Sequence, residues 1–193
     1  MLTVRELSAR DFMRWYSAVE SDFDEKELIP PRAVRGAIRS GAQEFLLFTD
    51  AETGLPQGYA LCCVKNVYGY VLLKYFGILP WYRDKGLGVE AMRLLHKRYA
   101  DRQGILAELT VFDDSDGGDY FRKLERFFRR FGYEEVPFSY RIGGARVFLT
   151  AKTLKSRVRD PEELAKLAPR ILTDFYSRCL RPSEMEKMLS RDP

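Results

Sequence analysis

Apolar residues recur along this chain in two periods, and the places where the period changes divide it into elements. Leu2 to Glu6 alternates as a short strand does. Ser8 then stands as a helix cap ahead of Phe12, Trp15, Tyr16 and Val19, whose spacing predicts a helix from about Ala9. The acidic stretch Glu20 to Glu27 and the pair Pro30-Pro31 end that helix. A second short one follows from about Arg32 to Arg39, closed by Gly41. Glu44 to Thr49 and Gly58 to Lys65 flank a polar turn containing Asp50, Thr53, Gly54 and Pro56, and read as a hairpin. After a turn at Tyr68-Gly69, the stretch Tyr70 to Leu79 is apolar on both faces, as a central strand is.

The second half alternates between helix and strand. Val89, Met92, Leu95 and Tyr99 mark one face of a helix from Leu87 to about Asp101, and Gly104 to Phe112 is a further apolar strand. A polar loop over residues 113–119 leads to a basic helix, Tyr120 to Phe131, ended by Gly132. Tyr133 to Arg141 and Ala145 to Thr150 form a closing hairpin about Ile142-Gly143-Gly144. From Thr153 onward the pattern is helical. Asp160-Pro161-Glu162-Glu163 is a strong helix start, and Pro182-Ser183-Glu184 opens a last short helix. We therefore expect one mixed α/β domain over 1–152 and a helical extension over 153–193. The extension's apolar stripe, Leu164, Leu167, Ile171, Leu172 and Phe175, has to be covered either by that domain or by a second copy in a homodimer.

Composition excludes several chemistries. With 46% hydrophobic and 31% charged residues the chain has the balance of a globular protein, and 193 residues suffice for one well-buried core. The formal net charge of +4 favours an anionic ligand but is too small to argue for nucleic acid. A single histidine, His96, rules out most metal clusters and every histidine-pair mechanism, and it reads as a polar-face or boundary residue of its helix. Cys62, Cys63 and Cys179 have no metal or redox spacing. No metal is expected. The longest apolar run, Tyr70 to Tyr82, is broken by Lys74, Gly77 and Pro80 and is too short to span a bilayer. The sequence opens without a secretory leader, so a reduced, cytoplasmic setting is the expectation.

The segment that carries chemistry runs from Phe76 to Gly88. A central strand ends at Pro80, a loop bears Arg83 and Lys85, and a helix begins behind Gly86 and Gly88. Glycines admit an anion close to the backbone, and the first amides of a helix point outward at the positive end of its dipole. This arrangement suits a pyrophosphate. In form, Gly86-Leu87-Gly88-Val89-Glu90-Ala91 fits the dinucleotide fingerprint G-x-G-x-x-A, with Glu108 at a suitable distance for a ribose contact. That fingerprint places its glycines directly after the strand, whereas Pro80 to Lys85 intervene here. Glu108 also lies inside its strand, and the flanking elements are hairpins rather than βαβ units.

Arg83-Asp84-Lys85-Gly86-Leu87-Gly88 matches in full the pattern R/Q-x-x-G-x-G/A of the GNAT superfamily of N-acetyltransferases. Ile78-Leu79-Pro80-Trp81-Tyr82-Arg83 resembles the junction that precedes that pattern, and Arg126 to Tyr133 resembles the family's late F-Y-x-R-x-G-F segment. The order of elements is similar over Leu2 to Leu154. This resemblance implies an α/β (α+β) fold with a mixed, mostly antiparallel central sheet flanked by helices, here with a C-terminal helical extension. It implies acetyl-CoA as acyl donor and a primary amine, on a small molecule or a protein, as acceptor. It also implies a bulged central strand that splays from its neighbour. The pantetheine arm would lie along Phe76, Gly77 and Ile78, and the pyrophosphate on the amides of Arg83, Asp84, Lys85, Gly86, Leu87 and Gly88. Two alternatives are a non-catalytic acyl-CoA-binding module and an acetyltransferase acting on aminoacyl-tRNA. Arg122, Lys123, Arg126, Arg129 and Arg130 read as a solvated face, from which one or two could meet the 3′-phosphate of coenzyme A; RNA is the sharper alternative, and the lack of an aromatic platform on the same face argues against it.

N-acetyl transfer needs a neutral amine, a stabilised oxyanion and a proton for the leaving thiolate. The Ile78 amide could meet the oxyanion, and a carboxylate typically takes the amine proton. Glu108, on the strand expected to form the slot's other wall, is the first candidate base, against the plainer readings of ion-pair partner or solvent-facing residue; Glu44 is a weaker one. The family's usual acid is a tyrosine whose place Phe128 takes, and Phe121 stands where an asparagine is frequent. Either Tyr140 or Tyr120 supplies the missing hydroxyl, or the thiolate leaves unaided. The acidic run Glu20 to Glu27 reads as a solvated loop with some capacity to attract a cationic amine.

Overall fold

The computed structural model describes residues 1–111, 117–155 and 160–191. Strands β1 (Leu2–Glu6), β2 (Gln43–Asp50), β3 (Pro56–Cys63) and β4 (Tyr70–Ile78) neighbour one another in sequence order, each antiparallel to the last. β5 (Gly104–Val111) lies parallel to β4. Beyond it the spatial order is β7 (Ala145–Thr153), β6 (Glu134–Ile142) and β8 (Leu189–Arg191), all antiparallel. The sheet is therefore mixed and mostly antiparallel, with helices on both faces.

The helices are α1 (Tyr16–Asp22), α2 (Pro31–Arg39), α3 (Leu87–Arg98), α4 (Gly117–Arg130), α5 (Pro161–Tyr176) and α6 (Pro182–Met188). One core cluster joins Leu72 and Tyr75 of β4 to α1, α2 and α5; the other joins Val71 and Leu73 to α3 and α4. Alternate residues of one strand feed both clusters, which is why β4 carries no polar face. Among the described residues no helix is long and apolar enough to cross a membrane.

Several elements differ in detail from the sequence pattern. Ser8 does not cap a helix: its hydroxyl accepts from the Asp11 amide at 3.2 Å and closes a local turn. A single 3₁₀ turn, Phe12–Arg14, follows, and α1 begins only at Tyr16. The acidic stretch is not wholly solvated. Asp24 caps a second 3₁₀ turn, Glu25–Glu27, and Glu27 is buried. β6 keeps Pro137 within it by shifting register between Val136 and Ser139, since proline has no amide to give the ladder. The last short helix is present as α6, and the sequence pattern did not show the short strand that follows it, β8, which covers the edge that β6 would otherwise leave open. The loop expected over residues 113–119 lies largely outside the described residues.

Within the extension, Asp160 accepts from the Glu162 amide at 3.2 Å and caps α5. Leu164, Ile171, Leu172 and Phe175 are buried in the same cluster as Leu106, Val136 and Leu149, with Leu167 half-buried beside them. The tail's apolar stripe is thus covered within the chain.

His96, in α3, is half-buried, with Nε2 at 3.2 Å from the Tyr133 hydroxyl and its ring edge-on to Phe131. Burial, and then the charge of Lys152, push its pKa down to about 4. The unfolded chain would take up a proton near the ordinary value of 6.5, which the folded chain refuses until near 4. Stability is therefore expected to fall as pH drops from 7 towards 4, by at most about 1.4 kcal/mol per pH unit from this group. A His96→Gln variant should show a shallower fall in melting temperature over that range; an unchanged slope would contradict this account.

Candidate active site

β4 and β5 pair only from Tyr70↔Gly104 to Leu73↔Ala107. Beyond that point β4 stays paired to β3 on its other side, but with a register shift: Leu61 faces Tyr75 while Cys62 faces Leu73. Lys74 is the extra residue, a bulge that bends β4 away from β5. Further along, the Leu79 amide donates to the Gln57 carbonyl at 2.9 Å. Because ladder bonds alternate between neighbours, the N–H and C=O of Phe76 and Ile78 then point away from β3, into the gap that β5 has left.

That gap opens on a cleft of about 470 Å³. Its walls include Phe76, Gly77 and Ile78 of β4, the end of α1, and the turn that leads into α3. In this turn Asp84, a non-glycine residue, sits at φ +60°, and Gly86 caps α3 at φ +76° with nothing within 4 Å of where a Cβ would lie. No acceptor among the described residues meets the amides of residues 84–88, which leaves donors facing open space. Gly77 is tightly confined: a Cβ there would lie 2.8 Å from the Tyr59 hydroxyl and 2.9 Å from the Asp22 carboxylate. Arg83 crosses the cleft, donating from Nε to the Ile78 carbonyl at 2.9 Å and pairing with Asp22 at 2.6 Å.

A smaller cavity of about 70 Å³ adjoins the cleft, sharing Asp22, Phe23 and Tyr120 with it. Asp22, Asp24, Glu27 and Glu108 line it, together with Lys74. Lys74 Nζ lies 2.7 Å from Glu108 Oε2, and both side chains are only 3% exposed. The other oxygen of Glu108 accepts from the hydroxyls of Tyr140 and Tyr176, the latter at 2.6 Å. Glu27 is held differently. The Tyr75 hydroxyl donates to its backbone carbonyl at 2.9 Å, and its Oε1 accepts from the Thr110 hydroxyl. Burial raises the Glu27 pKa above the ordinary 4.5, against the Thr110 hydrogen bond and the Lys74 charge, which lower it.

Of the residues singled out in the sequence, Phe76, Gly77, Ile78 and all of 83–88 except Lys85 line the one cleft. Lys85 instead turns its ammonium to the Trp81 carbonyl at 3.0 Å. Glu108 and Tyr140 are in direct contact, but only Glu108 reaches the cavity, while Tyr120 lines both cavity and cleft. Burial, and then the charge of Glu108, hold the Tyr140 hydroxyl well above its usual pKa, so it stays protonated. Glu44 is bound by Arg98 and by the Tyr99 hydroxyl, away from the cleft. Phe128 is buried and packs edge-on against Tyr133. Lys74, Glu27 and Tyr176 were missed. Among the described residues no group of three or more His, Cys, Asp or Glu side chains is arranged to hold a metal ion.

Residues 4–133 match the profile of the acetyltransferase (GNAT) family. The chain belongs to the GNAT family. No curated protein matches it by sequence. Solved structures share its fold at low identity. A Bacteroides thetaiotaomicron protein assigned to the GNAT family is 14% identical, with a TM-score of 0.69 over 90% of this chain and 98% of its own. One from Desulfovibrio desulfuricans is 16% identical, with a TM-score of 0.61 over 80% of this chain and all of its own. The spermidine/spermine N-acetyltransferase of Vibrio cholerae is 14% identical, with a TM-score of 0.60 over 80% of this chain and 95% of its own. At these identities the structures establish the GNAT fold and not the substrate. Family membership makes the chain an acyltransferase.

In this GNAT chain the Lys74–Glu108 pair is the element whose loss is easiest to read. Lys74→Met leaves a buried carboxylate without its counter-charge and should lower unfolding free energy by about 3–5 kcal/mol. Lys74→Met combined with Glu108→Gln should recover a large part of that loss in denaturant titrations. Equal stability of the single and double variants would contradict the pairing.

Proposed function

We propose that this GNAT enzyme transfers the acetyl group of acetyl-CoA to a primary amine on a small molecule or protein. The observation that carries the reading is the edge of β4 at Phe76 and Ile78 that β5 leaves without a strand partner, which runs directly into a turn of amides with no acceptor among the described residues. A strand edge offers alternating donors and acceptors to an amide-bearing arm, and the amides of residues 84–88 with the α3 dipole suit a pyrophosphate. The open space before Gly86 is room that a Cβ would reduce. These residues fit coenzyme A. When bound, acetyl-CoA supplies an activated thioester and a leaving thiolate.

The rest is the work of the chain's own groups. The Ile78 N–H faces the cleft and is the donor for a developing oxyanion. We read Glu27, rather than Glu108, as the proton acceptor. Thr110 occupies its Oε1 and leaves Oε2 for the amine proton, directly or through one water, whereas Glu108 is shared among three donors. Tyr120, at the junction of cleft and cavity, is the hydroxyl that can hold a proton for the departing sulfur; Tyr140 holds Glu108. Asp22, Asp24 and Glu27 make the cavity attractive to a positively charged amine before it is deprotonated. A polyamine, the substrate class named for the Vibrio cholerae protein, is an acceptor of this kind. We read 1–152 as the transferase domain and 153–193 as its extension, in a reduced, cytoplasmic setting.

Two measurements test this. Acetyl-CoA at a hundred times its dissociation constant should stabilise the protein by about 2.7 kcal/mol, seen as a melting shift of several degrees that NADH and ATP do not match. A shift with NADH alone, or none with acetyl-CoA, would overturn the cofactor assignment. Glu27→Gln should keep that shift but lower kcat by roughly a hundredfold. In the wild type, kcat/KM should fall with pH along a limb lying above 4.5, because the base must be ionised and its pKa is raised; the variant should lose that limb. Wild-type turnover in Glu27→Gln would remove Glu27 from this role.

A further inference from the structure

We propose that Tyr176 is a positioning residue of the acceptor cavity, which makes the C-terminal helix a working part of the reaction centre. The inference rests on the transferase reading above. Tyr176 is the last residue of α5, a helix that lies wholly beyond residues 4–133, where the family profile matches.

The geometry is specific. Tyr176 is 1% exposed, and its hydroxyl donates to Glu108 Oε1 at 2.6 Å. The face of the same ring lies toward Lys74, with Nζ 5.6 Å from its centroid. One side chain thus touches both members of the buried ion pair, the carboxylate by a charge-assisted hydrogen bond and the ammonium through its π-face. Packing alone does not need the hydroxyl. Phenylalanine would fill the same space among Ala168, Leu172 and Tyr140, and a buried hydroxyl is retained only where a partner satisfies it. That partner reaches the cavity.

The charged and titratable groups about Glu108 come from every neighbouring element: Lys74 and Tyr75 from β4, Tyr140 from β6, Tyr176 from α5, Glu27 from the acidic turn, Cys63 from β3 and Cys179 after α5. Of these, Lys74 and Glu108 act on Glu27 with opposite sign, the ammonium lowering its proton affinity and the carboxylate raising it. Holding Glu108 against Lys74 therefore fixes the electrostatic setting in which Glu27 works. Removing the Tyr176 hydroxyl leaves Glu108 with one phenolic donor in place of two and loosens its hold beside Lys74.

Tyr176→Phe tests this, with Leu172→Ala as a control that damages α5 packing without touching the polar cluster. In carbon-13 NMR at neutral pH, the side-chain carboxyl resonance of Glu108 should be displaced in Tyr176→Phe relative to wild type, because a direct hydrogen bond is lost, and should not move in Leu172→Ala. With acetyl-CoA and an accepted amine, kcat of Tyr176→Phe should fall roughly tenfold with KM for acetyl-CoA unchanged. The acid limb of its pH profile, set by Glu27, should be displaced from its wild-type position, because Glu108 no longer acts on Glu27 from the same place. Leu172→Ala should lose melting temperature and keep the limb in place. A Glu108 carboxyl resonance that is the same in Tyr176→Phe and wild type overturns the proposal, as does an equal displacement in Leu172→Ala. If wild type turns over no amine, the transferase reading fails by itself, and the NMR comparison still decides whether α5 governs Glu108.

Discussion

Leu73 and Ala107 are the last residues at which β4 and β5 pair, and the next residue on each strand carries a charge. Lys74 and Glu108 span the widening gap as a buried ion pair. Such a pair contributes little net stability, because desolvating two charges offsets most of their attraction, but losing either partner is severe. Its value here is positional. It fixes the point where the strands part, so the cleft on one side and the acidic cavity on the other both take their location from it. The bulge at Lys74 is the backbone expression of the same constraint, since without the extra residue the ammonium would not turn toward β5.

The sheet divides its labour by face. On the α3 and α4 side the aromatic contacts are mainly phenylalanines packed on one another, Phe127, Phe128 and Phe131 among them. On the other side five buried tyrosines each send a hydroxyl to a polar group. Tyr16 bonds the Ile29 carbonyl, Tyr59 the Asp22 carboxylate and Tyr75 the Glu27 carbonyl. Tyr140 and Tyr176 bond Glu108. These phenols let an apolar core hold a polar cavity without stranding its groups, because each hydroxyl satisfies a neighbour while its ring still packs. Phe128 fits this division. It lies on the apolar face, where a hydroxyl would have to find a partner of its own.

The junction from Phe76 to Gly88 was legible in the sequence because the chemistry demands residue types at fixed spacing: a strand exit, a glycine at a left-handed cap, amides at a helix start. The central strands were legible from period alone. Lys74 was not, since within an apolar run a lysine reads as an interruption, and only the mismatch of Leu61 and Cys62 against β4 shows it to be a bulge. Glu27 was misjudged as part of a solvated acidic run. It is buried by Tyr75 and Thr110, partners 48 and 83 residues away along the chain, and no local pattern carries that information. Tyr176 was hidden in the same way, in a helix whose apolar stripe drew all the attention. β8 escaped because three residues are too few to show a period.

Arg83 gives the cleft a property that its shape alone does not. Its guanidinium already bonds the Ile78 carbonyl and neutralises Asp22. A ligand that takes the Ile78 carbonyl therefore exchanges one hydrogen bond for another and gains little at that atom. Were the exchange to draw the guanidinium off Asp22 as well, the neighbouring cavity would become more negative by one unit. If the strand edge takes the acyl donor and the cavity the amine, the two would be linked through a single side chain: whatever loosens Arg83 on one side would strengthen the pull on a cation at the other, and by reciprocity a cation beside Asp22 would release the strand edge.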